Sequence, residues 1–113
     1  MFNFLRPNSA RASLPSISDI AAGVASGEIA LVDVREAAEI RASGIARGAI
    51  HIPLGVIALK ADPKAPDASL RPGKPVALYC ASGGRSGMAA QVLQRLGYDP
   101  VWNIGGLGDW HAG

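Results

Sequence analysis

An α/β fold, with a mostly parallel sheet covered by helices on both faces, is what the order of apolar segments in this sequence predicts. Short runs of branched apolar residues alternate with segments of helical period, and that alternation builds βαβ units. The chain has 113 residues, enough to bury an ordinary core and too few for two. Hydrophobic residues at 49% against charged residues at 18% give the balance of a chain that folds unaided rather than a disordered one.

Met1 to Pro15 (MFNFLRPNSARASLP) lacks the continuous apolar core of a secretory signal and reads as a tail over 1–15, ahead of a domain over 16–113. Ile17 to Gly27 carries Ile20, Ala21 and Val24 at helical spacing, with Ser18 as N-cap, Gly27 as stop and Gly23 as a weak point. Ile29 to Val34 (IALVDV) is too brief for a helix and rich in branched residues, so it predicts a buried strand in which Asp33 needs a partner. Glu36 to Ala42 is helix-prone, Ser43 to Gly48 is a glycine-punctuated turn, and Ala49 to Ile52 is a second strand stopped by Pro53. Gly55 to Ala61 suits another short helix.

Asp62 to Pro75 (DPKAPDASLRPGKP) has no periodicity and reads as a surface loop. Val76 to Cys80 (VALYC) is the third apolar strand. From Ser86 onward, Met88, Ala89, Val92, Leu93 and Leu96 fall on one helical face, with Gly97 as the C-cap. Val101 to Ile104 is a fourth strand, and Gly105 to Trp110 (GGLGDW) is a turn entering a short helix. In such sheets ligands collect beyond the carboxyl ends of the strands, which is where Cys80 falls.

Composition narrows the function. The eleven basic residues form no run and aromatics stand at 5%, which speaks against a nucleic-acid partner. No segment approaches the roughly 20 apolar residues that span a bilayer, so no membrane partner is expected. Cys80 is the only cysteine, which rules out an intrachain disulfide and a multi-cysteine metal site and suits a reducing, cytoplasmic setting. His51 and His111 have no acidic cluster at ligand spacing and read as packing or surface residues, with no metal site. Trp102 and Trp110 read as packing groups. The glycines Gly83, Gly84 and Gly87 lack the G-K-[ST] of a nucleotide phosphate loop.

The segment Cys80-Ala81-Ser82-Gly83-Gly84-Arg85 lies between a strand end and a helix start. Its glycines let the backbone curl until several N–H groups converge, an anion cradle built around a sulfur. The positive end of the following helix and Arg85 both favour the thiolate, which makes Cys80 a candidate nucleophile. A lone cysteine after an apolar strand is otherwise a small buried hydrophobe; the loop and Arg85 reverse that reading.

Cys80 to Ser86 (CASGGRS) resembles the C-x-x-G-x-R-S active-site loop of single-domain rhodaneses. Leu31 to Glu36 (LVDVRE), Gly44 to Pro53 (GIARGAIHIP) and Gly105 to Trp110 resemble three further motifs of that family, in its order. Ile45 and Ala46 stand where the family often has His-Ile, a departure that bears on local packing. The resemblance implies a single rhodanese-like domain whose central, mostly parallel sheet has about five strands. It implies a thiosulfate sulfurtransferase that works through a Cys80 persulfide, with Ala81, Ser82, Gly83, Gly84 and Arg85 as substrate-binding residues and no metal or organic cofactor. The implied partners are a small anionic sulfur donor and a thiol, cyanide or protein acceptor. A sulfur carrier with little turnover is the alternative. A cysteine phosphatase or arsenate reductase is a further one, disfavoured because four residues separate Cys80 from Arg85 where phosphatases of related fold resemble C-x-x-x-x-x-R. Asp33 and Arg35 could fix the cysteine loop or form a structural ion pair.

Overall fold

In the computed structural model, which describes residues 14–112, the elements are α1 (Ile17–Ser26), β1 (Ala30–Asp33), α2 (Ala37–Ser43), β2 (Ala49–His51), a 3-10 turn (Leu54–Val56), α3 (Ile57–Lys60), β3 (Val76–Cys80), α4 (Gly84–Arg95), β4 (Val101–Gly106) and α5 (Leu107–Ala112). The expected tail lies, through residue 13, outside the described residues. The strands form one sheet in the order β2-β1-β3-β4, with every neighbouring pair parallel. Among the described residues the sheet has four strands, the four that the apolar runs mark, rather than about five.

Alternation along the strands sends side chains to two cores. Val32, Leu78 and Cys80 join Ile57, Ala61, Ala89 and Leu93 beneath α3 and α4, while Leu31, Tyr79, Trp102 and Ile104 join Ile20 of α1 on the other face. Leu107 and Trp110 of α5 pack against that second core, so helices cover both faces. β1 and β3 are buried along their whole length, as interior strands of a parallel sheet should be.

Local chemistry moves some predicted boundaries. The N-cap of α1 is Ser16 rather than Ser18, because Ser16 Oγ accepts the Asp19 N–H at 3.0 Å, which is the spacing a serine cap uses. Gly23 has a packing reason inside α1: a Cβ there would collide with the Ile29 side chain, so the glycine lets the residue just before β1 pack against the helix. α4 starts at Gly84, two residues before the expected Ser86, because Gly83 takes a left-handed φ of 103° and turns the chain at once into the helix. Met88 is more than half exposed; the buried stripe of α4 is Ser86, Ala89 and Leu93. β4 runs on through Gly105 and Gly106, where the sequence predicts a turn. The proline-rich segment over 62–75 holds no helix or strand and is tied down by Arg71, which donates to the carbonyls of Pro63, Ala65 and Pro66.

Candidate active site

Cys80 is the last residue of β3, at the carboxyl edge of the sheet, with its side chain on the α4 face. Gly83 reverses the chain and α4 begins, so the helix's first amide groups face back toward the strand end. Cys80 Sγ accepts from the Gly83 N–H at 3.0 Å, the Ser86 N–H at 3.4 Å and the Ser86 hydroxyl at 3.4 Å. Cys80 is only 1% exposed. Burial pushes its thiol up, but the Ser86 hydroxyl and the Ser86, Ser82 and Gly83 backbone outweigh it and bring the pKa down from 9.0 to about 7. A substantial fraction is therefore thiolate at neutral pH.

Of the residues expected around the sulfur, Gly83 donates to it directly and the Ser82 backbone helps to stabilise its charge. Gly84 opens the helix and Ala81 backs against β4. Ser86, which the sequence marks as the motif's last residue and a helix start but not as a sulfur ligand, donates to Cys80 Sγ from both its N–H and its hydroxyl. Its hydroxyl also donates to Asn103 Oδ1 at 2.7 Å, so one proton serves two acceptors. Asn103 is a second residue that sequence reasoning missed. Its Nδ2 donates to the Gly83 carbonyl at 2.9 Å, and its Oδ1 accepts from the Gly105 N–H at 3.0 Å. The pairing of Leu78 with Asn103 sets this side chain on the face that Cys80 shares, an outward polar residue between the inward Trp102 and Ile104. That period-two pattern was the available signal.

β4 presses on the loop from its other side. Register slips between Leu78 and Cys80, so that Cys80 pairs with Gly106, a bulge that brings the glycine against the loop. A Cβ at Gly106 would collide with the Ala81 carbonyl oxygen.

Arg85 is not a free cation. Its Nη1 and Nη2 donate to Glu39 Oε1 and Oε2 at 2.6 and 2.8 Å, and both side chains are about one-third exposed. Glu39 Oε1 also accepts the Glu36 N–H at 2.9 Å at the start of α2. The Arg85 guanidinium brings the Glu39 carboxyl down from 4.5 to about 2; Arg85 in turn is raised, mainly by Glu39 and in lesser part by Cys80.

Asp33 and Arg35 form a buried structural pair. Arg35 donates to Asp33 from Nε and Nη2, and sends Nη1 to Ser43 Oγ and Nη2 to the Gly44 carbonyl, each at 2.8 Å. It lies over the Tyr79 ring, 5.7 Å from its centre. These contacts hold the end of α2 rather than the cysteine loop. Ala46, at the departure from the family pattern, is buried and donates its N–H to Tyr79 Oη at 2.9 Å, whereas Ile45 is exposed. His51 ends β2 with Nε2 at 2.7 Å from the Arg35 carbonyl, a packing role; since a carbonyl only accepts, Nε2 carries the proton. The side chain of His111 lies outside the described residues. No helix among the described residues is long and apolar enough to cross a membrane.

The rhodanese-like domain family matches residues 16–113. The chain is 35% identical over 78 residues to the thiosulfate sulfurtransferase PspE of Escherichia coli, covering 69% of this chain and 70% of that protein. It is 35% identical over 81 residues to the putative sulfur carrier protein YrkF of Bacillus subtilis, covering 71% of this chain. It spans 40% of YrkF and 59% of another Bacillus subtilis relative. The human single-domain sulfurtransferase TSTD1 superposes with a TM-score of 0.69 at 29% identity, over 89% of this chain and 96% of that one. Fold, loop and kinship agree, and the chain belongs to the rhodanese-like domain family, whose members among these relatives include sulfurtransferases and a putative sulfur carrier.

Proposed function

We propose that this protein is a cytoplasmic sulfurtransferase that moves a sulfane sulfur from thiosulfate or a similar donor to a nucleophilic acceptor through a Cys80 persulfide. The observation that carries this reading is the set of donors turned on Cys80 Sγ, two backbone N–H groups and a hydroxyl, at a strand end that opens directly into a helix. Such a cradle favours a thiolate before transfer and a negatively charged terminal sulfur after it.

With thiosulfate, the Cys80 thiolate attacks the outer sulfur, a new S–S bond forms, the donor's S–S bond breaks, and sulfite leaves with the electron pair. Cys80 is left as a persulfide anion. A thiolate or cyanide then takes the terminal sulfur and the Cys80 thiolate returns. The amides over Ala81 to Arg85 are assigned to the transferred sulfur, and Arg85 supplies the only charge in the loop for an anionic donor. Because Cys80 is nearly inaccessible, a donor must present an unhindered terminal sulfur.

Intact-mass spectrometry of wild type and Cys80→Ser, before and after thiosulfate under non-reducing conditions, tests this. A gain of one sulfur atom on wild type alone is expected; a gain on neither protein would defeat thiosulfate as the donor, and failure of an organic persulfide to load Cys80 as well would defeat the sulfurtransferase reading. Similarity to a putative sulfur carrier favours a second reading, a domain that loads one sulfur and hands it to a partner. Stoichiometric loading with negligible turnover to cyanide would select it.

A further inference from the structure

The Cys80–Ser86 loop holds one charged residue, Arg85, and the planar fork of that arginine is already occupied. Its two Nη atoms meet the two carboxylate oxygens of Glu39 at 2.6 and 2.8 Å, the side-by-side geometry in which a guanidinium would also grip a sulfonate. Glu39 is not a passing partner. Its Oε1 also takes the Glu36 N–H at the N-terminus of α2, and the other end of α2 is held by Arg35 through Ser43 and Gly44. The carboxylate is thereby held on the loop's arginine, where it neutralises the one cation of the loop and occupies the fork that an anionic donor would use. Thiosulfate, a dianion approaching a thiolate, meets this arrangement at its worst. An organic hydropersulfide, R–S–S–H, does not need the fork.

We propose that Glu39 is a specificity-determining residue that turns the Cys80 site away from dianionic donors and toward low-charge organic persulfides. The proposal rests on the sulfurtransferase reading above. In the favoured reaction the Cys80 thiolate attacks the terminal sulfur of R–S–S–H. The donor's S–S bond breaks, R–S⁻ departs with the electron pair, and Cys80–S–S–H forms. Atoms and charge balance without an oxidant.

The test measures second-order rate constants for persulfide formation, by intact mass, in wild type, Glu39→Gln and the double variant Glu39→Gln/Arg85→Ala. The two probes are thiosulfate and an alkyl hydropersulfide with an uncharged R group, released in place from a caged precursor, which carries at most one negative charge against the two of thiosulfate. Glutamine keeps an Oε1 acceptor for the Glu36 N–H, so the cap of α2 persists. Glu39→Gln is expected to raise the thiosulfate rate about ten-fold while the alkyl hydropersulfide rate stays within about two-fold. The gain should shrink with added salt and vanish in the double variant. An unchanged or lower thiosulfate rate, or an equal change for both donors, would overturn the proposal. Failure of both donors to load wild-type Cys80 would instead defeat the sulfurtransferase reading, and this proposal with it.

Discussion

At the scale of single residues, the Ser86 hydroxyl is the lever on Cys80. The thiol titrates near 7 because hydrogen bonds from Ser86 and the loop backbone overcome the opposing effect of burial. Alkylation of wild type should therefore rise through about pH 7 and flatten above it. Ser86→Ala removes one of the three donors, and the midpoint should move up toward 9.0, the unperturbed value. At pH 7 a rise of one unit from about 7 leaves about five-fold less thiolate. The pH dependence of iodoacetamide alkylation reads this directly, and an unmoved midpoint would leave the backbone amides as the whole cause. Cys80, Arg85 and the glycines were legible in the sequence because one short segment carries them all. Glu39 and Asn103 were not, since the first lies 46 residues before Arg85 and the second 17 residues after Ser86. Only the folded sheet brings them to the loop.

At the scale of elements, the site depends on how closely the end of β4 lies against the cysteine loop. Gly106→Ala drives a methyl group at the Ala81 carbonyl, a backbone atom that yields only if the loop shifts. Overpacking of this kind costs about 1–3 kcal/mol, read as a lower urea midpoint, and sulfur loading should fall as well because the displaced segment leads into the cradle. Strands β1 and β3 were plain in the sequence as continuous apolar runs. The extension of β4 was hidden, because two consecutive glycines read as a turn when no neighbouring strand is visible. The start of α4 was obscured for a related reason: glycine signals a bend without saying whether the helix begins before or after it, and here a single left-handed residue, Gly83, completes the reversal.

At the scale of the whole molecule, the buried Asp33–Arg35 pair ties the sheet to α2. Burial pushes the Asp33 carboxyl up, but hydrogen bonds from Arg35 overcome this and hold it below its ordinary 3.8. Its folded pKa is thus depressed, so the stability it contributes is present in full above about pH 4 and is lost as pH falls through the folded value. Asp33→Ala at neutral pH strands a buried guanidinium and should cost about 3–5 kcal/mol. Urea unfolding at pH 7 measures the loss, and the gap between the two proteins should narrow in acid. The alternating order of elements made this architecture readable from the sequence, and Arg35 was readable too as a candidate partner for Asp33; what the sequence left open was the pair's task, because the contacts of Arg35 with Ser43 and Gly44 appear only once the chain is folded.

Among the described residues, the Gly83 and Ser86 donors to the sulfur, and the asparagine that braces them, lie between Gly83 and Asn103. Among the described residues, only Glu39 reaches the loop's charge from the first half of the chain. Two separable stretches of sequence thus govern reactivity and the electrical character of the entrance, and a lineage can drift in its choice of donor by changes near α2 without disturbing the machinery that handles sulfur.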